Sequence, residues 1–246
     1  MSTRITLAVA LRVLTQLRRD RRTLAMLVVL PCALLALLWW MFQGTGLGPG
    51  FDALGPPLLA LIPFIVMFLV TSVTTLRERT SGTLERLLAM PMGKGDFLLG
   101  YALAFGLMAA LQSVLAVAVC VWLLGMDVAG PVWALLVVAV LDAVLGTALG
   151  LFVSAFAQTE FQAVQFMPAL VIPQILLCGL FIARDAMPAV LHGISDVLPL
   201  SYAVDAMQQV ASSLDTGPAW GDLAVVVAWI AVCLGLGAAT LRRRSA

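Results

Sequence analysis

The chain has 246 residues, of which 62% are hydrophobic and only 11% charged, and its mean hydropathy is +1.07. Soluble domains carry about 25% charged residues, so this composition excludes a soluble globular protein and places most of the chain in lipid. The formal net charge of +1 says little, but the placement of the charges says much.

The segment Thr3 to Arg22 comes first and reads as an amphipathic helix. Ile5, Val9, Val13 and Leu17 share one face, while Arg4, Arg12 and Arg19 lie away from it. Such a helix lies in the membrane interface with its arginines on anionic head groups. The plainer alternative is a simple extension of the first span, and Asp20 marks a break before the apolar run. That run, Thr23 to Phe42, is longer than the apolar core of a secretory signal, so it reads as a membrane span. Six spans are expected, at about 23–42, 57–76, 97–124, 131–157, 162–182 and 219–241. None alternates in the way a closed β-barrel requires. Trp39, Trp40 and Phe42 mark an interface. Cys32, Cys120, Cys178 and Cys233 fall singly inside apolar runs, which leaves no disulfide framework and no zinc site.

Basic residues set the orientation. Six arginines precede the first span, Arg77, Arg79, Arg86 and Lys94 occupy the loop after the second, and Arg242, Arg243 and Arg244 follow the last. Arg184 alone lies on the other side, among acidic residues. The positive-inside rule then puts both termini of this multi-pass protein in the cytoplasm, and a bacterial plasma membrane is the expected location. The expected organisation is one domain over 1–246: the amphipathic helix 1–22, a bundle 23–241 and a basic tail 242–246. The outer segment 183–218 repeats apolar residues at helical spacing between Pro188 and Pro199 and again after Tyr202. The first stretch reads as one or two short helices re-entering the outer leaflet, which is tolerated where protein or a wet cavity surrounds them; an ordinary surface helix is the other reading.

The charged island between the second and third spans, Leu76 to Gly100, needs water or a soluble partner. Ser81 is a plausible N-cap, Glu85 falls in the first turn, and Pro91 ends the helix. Leu84, Leu87 and Leu88 form an i, i+3, i+4 stripe. Two turns are too short to stand alone, so the peg packs either on the bilayer or in a partner's groove.

The run RERTSGTLERLLAMP, followed by Asp96 and Gly100, resembles the cytoplasmic signature of ABC-2 type permeases, the membrane subunits of ATP-binding-cassette exporters. A second block agrees with it: Thr159-Glu160, Pro168, Gly179, Met187-Pro188 and the stretch Leu198 to Ala206. Together they cover about residues 1–241, and the chain is most similar to the drug-resistance permeases. Thr80 and Tyr101 depart from the family's usual acidic residue and lysine. The resemblance implies a coupling helix that seats in an ATPase cleft, with Arg77, Arg79, Thr83, Leu84, Glu85, Arg86, Leu87 and Leu88 as the coupling residues. It also implies an ABC ATPase subunit in two copies, a second six-span permease (identical or paralogous), and ATP with Mg held by the ATPase. The chain itself carries no P-loop pattern, since Gly93-Lys94 is followed by Gly95 and has no glycine five positions before Gly93. It is therefore expected to be a transport subunit and not an enzyme, without a cofactor of its own and without a nucleic-acid partner.

Within the spans, Asp142 is the clear ionisable residue. It is costly there by about 3 kcal/mol, and it either hydrogen-bonds a neighbouring helix or serves substrate or protons. Gly146 and Gly150 continue its face in a pattern suited to close packing. Gln158, Gln162 and Gln165 line a cytoplasmic entrance if the stretch is continuous helix, and interfacial solvation is the other reading. Pro168 and Pro173, like Pro63, are expected to kink their spans and are candidate gates. The leading expectation is an exporter of a hydrophobic or amphipathic drug or lipid. The alternatives are an ion-coupled secondary transporter, which makes Asp142 its coupling group, and an exporter of polysaccharide or other polar cargo.

Overall fold

A computed structural model describes residues 2–42, 50–81 and 93–240. These residues are all-helical, with nine α-helices and no strand among them. The helices are α1 (Thr3–Arg19), α2 (Arg21–Phe42), α3 (Phe51–Thr80), α4 (Lys94–Ala118, continued by a π turn over Val119–Leu123), α5 (Val132–Ser154), α6 (Glu160–Leu177), α7 (Ala189–Ser195), α8 (Pro199–Ser212) and α9 (Gly217–Thr240). Six of them (α2 to α6 and α9) are long and apolar enough to cross a membrane. They match the six expected spans to within a few residues, except that α3 extends further at both ends.

α3 and α5 form the centre. In each, 67% of the most apolar window is buried inside the protein, against 17% in α2 and α6. The reason is visible in the side chains. Gly146 and Gly150 sit one turn apart on α5, and a Cβ built there would come to 2.5 Å from the Phe64 carbonyl oxygen and 2.7 Å from that of Phe68. Hydrocarbon does not drive apolar helices together in lipid, so close backbone packing of this kind supplies the attraction. By contrast α2 buries only the single line Leu27, Pro31 and Leu35 and turns its other faces outward. Pro56 and Pro57 fall in the second turn of α3, where each withholds an N–H that would otherwise bond the carbonyl four residues back, and the helix runs unbroken through them and through Pro63.

α8 is not a surface helix. Leu200, Ala203, Val204, Ala206 and Met207 are all fully buried against α3, α5 and α9. α7 is the opposite: Val190, Leu191 and Ile194 are exposed. The turn between α4 and α5 is held from both sides, by Asp127 N–H to the Asp52 carboxylate (3.0 Å) and by Gly130 N–H to the Val210 carbonyl (3.0 Å). The four cysteines are free thiols, and Cys120, Cys178 and Cys233 are buried.

Candidate functional site: the charged end of the bundle

The last turn of α3 carries Arg77, Glu78 and Arg79 in succession. Successive helical residues point about 100° apart, so the three reach three different neighbours. Arg77 grips both oxygens of Glu160, at the start of α6, from Nε and from one terminal nitrogen, each at 2.9 Å. Arg79 donates to the carbonyl of Ser154, one of the carbonyls left open at the end of α5. Glu78 turns inward, with only 7% of its side chain exposed, and accepts from Arg12 (2.9 Å) and from the Gln16 amide (2.7 Å), both on α1. Ser81 closes α3 by donating to the Glu78 carbonyl at 3.1 Å.

Asp96 organises the chain where it re-enters the bundle. One carboxylate oxygen accepts from Gly93 N–H (3.1 Å) and so caps α4. The other accepts from Ser2 N–H (2.9 Å) and the Thr6 hydroxyl (3.3 Å) at the start of α1. One turn on, Gly100 lets α1 lie directly on α4, since a Cβ there would come to 2.6 Å from the Val9 side chain. The segment 82–92 is thus bracketed, its entrance tied to α1, α5 and α6 and its exit to α1. Thr83, Leu84, Glu85, Arg86, Leu87 and Leu88 lie outside the described residues.

The same packing covers the amphipathic face expected of α1. Its stripe Val9, Val13 and Leu17 is buried against the protein, where it packs with Phe97, Leu98 and Tyr101 of α4. Arg12 is committed to Glu78, whereas Arg4, Arg18 and Arg19 are exposed. The amphipathic period alone could not distinguish a lipid surface from a neighbouring helix. Asp20 does mark a break, as expected: it ends α1 and its carboxylate accepts from Arg22 and Thr23 at the start of α2. Those bonds, the Thr23 hydroxyl first, hold its carboxyl below the ordinary range.

Mid-bundle, Asp142 is 1% exposed and neither carboxylate oxygen has a hydrogen-bond partner among the described residues. It sits one turn from Gly146 on the face of α5 that meets α3. Gln112, also 1% exposed, has no partner for either amide atom among the described residues. The glutamine stripe does not form as a continuous helix. α5 ends at Ser154 and α6 begins at Glu160, capped by the Thr159 hydroxyl. Gln158 lies in the break and its N–H donates to the Gln162 side chain at 2.8 Å, while Gln165 stays exposed. Thr159 is an N-cap residue type, so the break was signalled in the sequence. Pro168 and Pro173 are exposed within α6, which runs from Glu160 to Leu177.

The sequence missed three partners at this end: Gln16, Glu160 as the mate of Arg77, and the Ser154 carbonyl. They are 62 to 83 residues away along the chain from the groups they bind.

A family model described as "ABC-2 type transporter" matches residues 5–211. The chain is 27% identical over 156 residues to a protein of Escherichia coli strain K12 named "Probable multidrug ABC transporter permease YbhS", covering 63% of this chain and 41% of that protein. It is 24% identical over 182 residues to ABC transporter G family member 20 of Dictyostelium discoideum, covering 73% of this chain and 25% of that protein. It is 24% identical over 183 residues to the linearmycin resistance permease protein LnrN of Bacillus subtilis strain 168, covering 74% and 47%. The chain therefore spans less than half the length of each of these relatives.

Proposed function

The chain belongs to the ABC-2 type transporter family and is a multi-pass membrane protein, and from that premise we propose that it is the permease of an ATP-driven exporter for hydrophobic or amphipathic cargo such as a drug or lipid. A separate ABC ATPase hydrolyses ATP with Mg, and a second six-span permease completes the pathway. The charged end faces the cytoplasm, where segment 82–92 seats on the ATPase as the coupling helix. The short helices α7 and α8 cap the outer end.

The observation that carries this reading is the bracketing of segment 82–92. A rigid peg transmits force only if both its roots are fixed to the parts that must move. Arg77 and Arg79 root it in α6 and α5, Glu78 in α1, and Asp96 fixes the start of α4 to α1. The names of the relatives, which include multidrug and linearmycin resistance permeases, support the drug-like cargo.

The test is co-purification from the native membrane. The reading expects a P-loop ATPase at about one per permease, and expects Glu85→Lys with Leu88→Asp to abolish its capture while the permease stays monodisperse. Capture that survives both changes removes the coupling role from this segment. Asp142 favours a second reading, ion-coupled transport, because an unpartnered carboxyl at mid-bundle is a common mark of ion pathways. Transport that ignores ATP, follows a pH gradient and is lost in Asp142→Asn would replace the first reading by the second.

A further inference from the structure

Between Gly95 and Thr240, Arg184 is the only arginine or lysine in the sequence. It lies in a 3₁₀ turn, Arg184–Ala186, just beyond the end of α6. Its side chain is 13% exposed and it gathers the outer segment around itself. One terminal nitrogen bonds the Asp196 carboxylate after α7 (2.5 Å), and the other bonds the Asp205 carboxylate on α8. The guanidinium lies 5.1 Å from the centre of the Tyr202 ring. Tyr202 in turn donates to the Asp196 carbonyl at 2.7 Å, and Ser195 ties this corner to the end of α6 by donating to the Leu177 carbonyl at 2.8 Å.

The surroundings are acidic. Asp185 is next in sequence, Asp222 of α9 is bonded by Gln209 of α8, and His192 sits 3.2 Å from Asp196 and 4.0 Å from Asp185. Burial holds the Asp205 carboxyl above the ordinary range even beside Arg184. Burial also pulls on Arg184, but the bonds and charges of Asp205 and Asp196 together reverse it and hold the guanidinium above its ordinary value. One cation thus holds together a cap that otherwise repels itself.

The chain enters this cap through Gly179, whose φ of +92° only glycine adopts without strain. A Cβ there would lie 3.5 Å from the Arg184 side chain and 3.9 Å from Asp205. Cys178, the preceding residue, is fully buried and its thiol donates to the Ile175 carbonyl.

We propose that Arg184 is the latch of the outer cap: while it bridges Asp196 and Asp205, the cap stays seated over the end of α6, and breaking either bond frees the cap to swing at Gly179 and uncovers Cys178. The proposal rests on the exporter reading for its purpose, since this is the end where cargo leaves. Its physical content needs neither ATP nor cargo.

The experiment uses the full chain in lipid nanodiscs, where reagent reaches both faces, and follows modification of Cys178 by a charged maleimide. Cys178→Ser gives the background, and Cys120 and Cys233 report general loosening. Wild type should react slowly. Arg184→Gln and Asp205→Asn should raise the Cys178 rate by about tenfold or more, the factor expected when a charge-assisted hydrogen bond is lost. Arg184→Lys should fall between, because an ammonium is a point charge without the planar fork that binds two carboxylates. Asp205→Asn keeps the test open should Arg184→Gln fail to fold. An unchanged Cys178 rate in a folded variant, or an equal rise at Cys120 and Cys233, overturns the latch. If Cys178 behaves as expected but no ATPase co-purifies, the latch stands and the exporter reading falls.

Discussion

The two ends of the bundle hold their charges in opposite ways. At the basic end Arg77, Glu78 and Arg79 each have their own target: Arg77 takes Glu160, Arg79 takes a carbonyl, and Glu78 takes Arg12 and Gln16. At the acidic end one guanidinium serves two carboxylates and an aromatic ring. The first arrangement spreads the loss from any one break over several independent contacts. The second concentrates it in a single residue. This suits the proposed roles, because a force-bearing root should not fail at one point and a latch should.

Substitutions can break that comparison, starting where the effect is largest. Arg184→Ala leaves Asp196 and Asp205 uncompensated. Losing one member of a buried pair costs about 3–5 kcal/mol, and the partial exposure of Asp196 brings the expectation here to about 2–3 kcal/mol. Thermal unfolding in detergent should show it as the largest drop of this series. If it costs no more than an exposed pair, the contrast between the ends is false.

Arg12→Ala comes next. It strips Glu78 of its cation but leaves the Gln16 bond in place, and Arg12 is itself 35% exposed. The expected loss is about 2 kcal/mol. Glu78→Gln with Arg12→Ala should recover part of it, because no buried charge is then left alone. A double variant worse than either single change would mean that Glu78 has another partner.

Arg77→Ala should cost less than about 1 kcal/mol, since 60% of Arg77 and 51% of Glu160 are exposed and salt screens such pairs. Its stability effect should shrink further in high salt. Its effect on coupled transport should be larger than its effect on melting, if the root of segment 82–92 transmits force.

The smallest effect is at Asp20. Hydrogen bonds from Thr23 and Arg22 lower its carboxyl, so the contribution is fully present above the ordinary carboxylate value of about 3.9. It is lost as the pH falls through that value to the lowered one. Thr23→Ala should flatten this acid limb by well under about 1 kcal/mol, the group being exposed. An acid limb unchanged by Thr23→Ala would remove the cap from the account.

Much of this was legible beforehand for a physical reason. Hydropathy is a property of consecutive residues, so 23–42 or 219–241 reads as a span wherever its neighbours lie. Small residues one turn apart, Gly146 and Gly150, announced a close approach. They did not name α3 as the helix that makes it. The amphipathic stripe of α1 was visible, but a stripe says only that one face is covered. Val9 lying on Gly100 shows what covers it. For the candidate coupling residues, Arg77 and Arg79 stood out as charges at a span's end, while their mates Glu160 and Ser154 did not.

The sequence by itself determined the all-helical class, the number of membrane-crossing helices, the segregation of basic from acidic ends and the family. Each of these is local or additive along the chain. Only the tertiary structure decided that Glu78 faces inward to α1, that Asp142 is buried without a partner among the described residues, that α8 is buried in the core while α7 lies exposed, and that Arg184 bridges Asp196 and Asp205. These depend on which residues distant in sequence come within about 3 Å of one another, and hydropathy and periodicity carry no such distance.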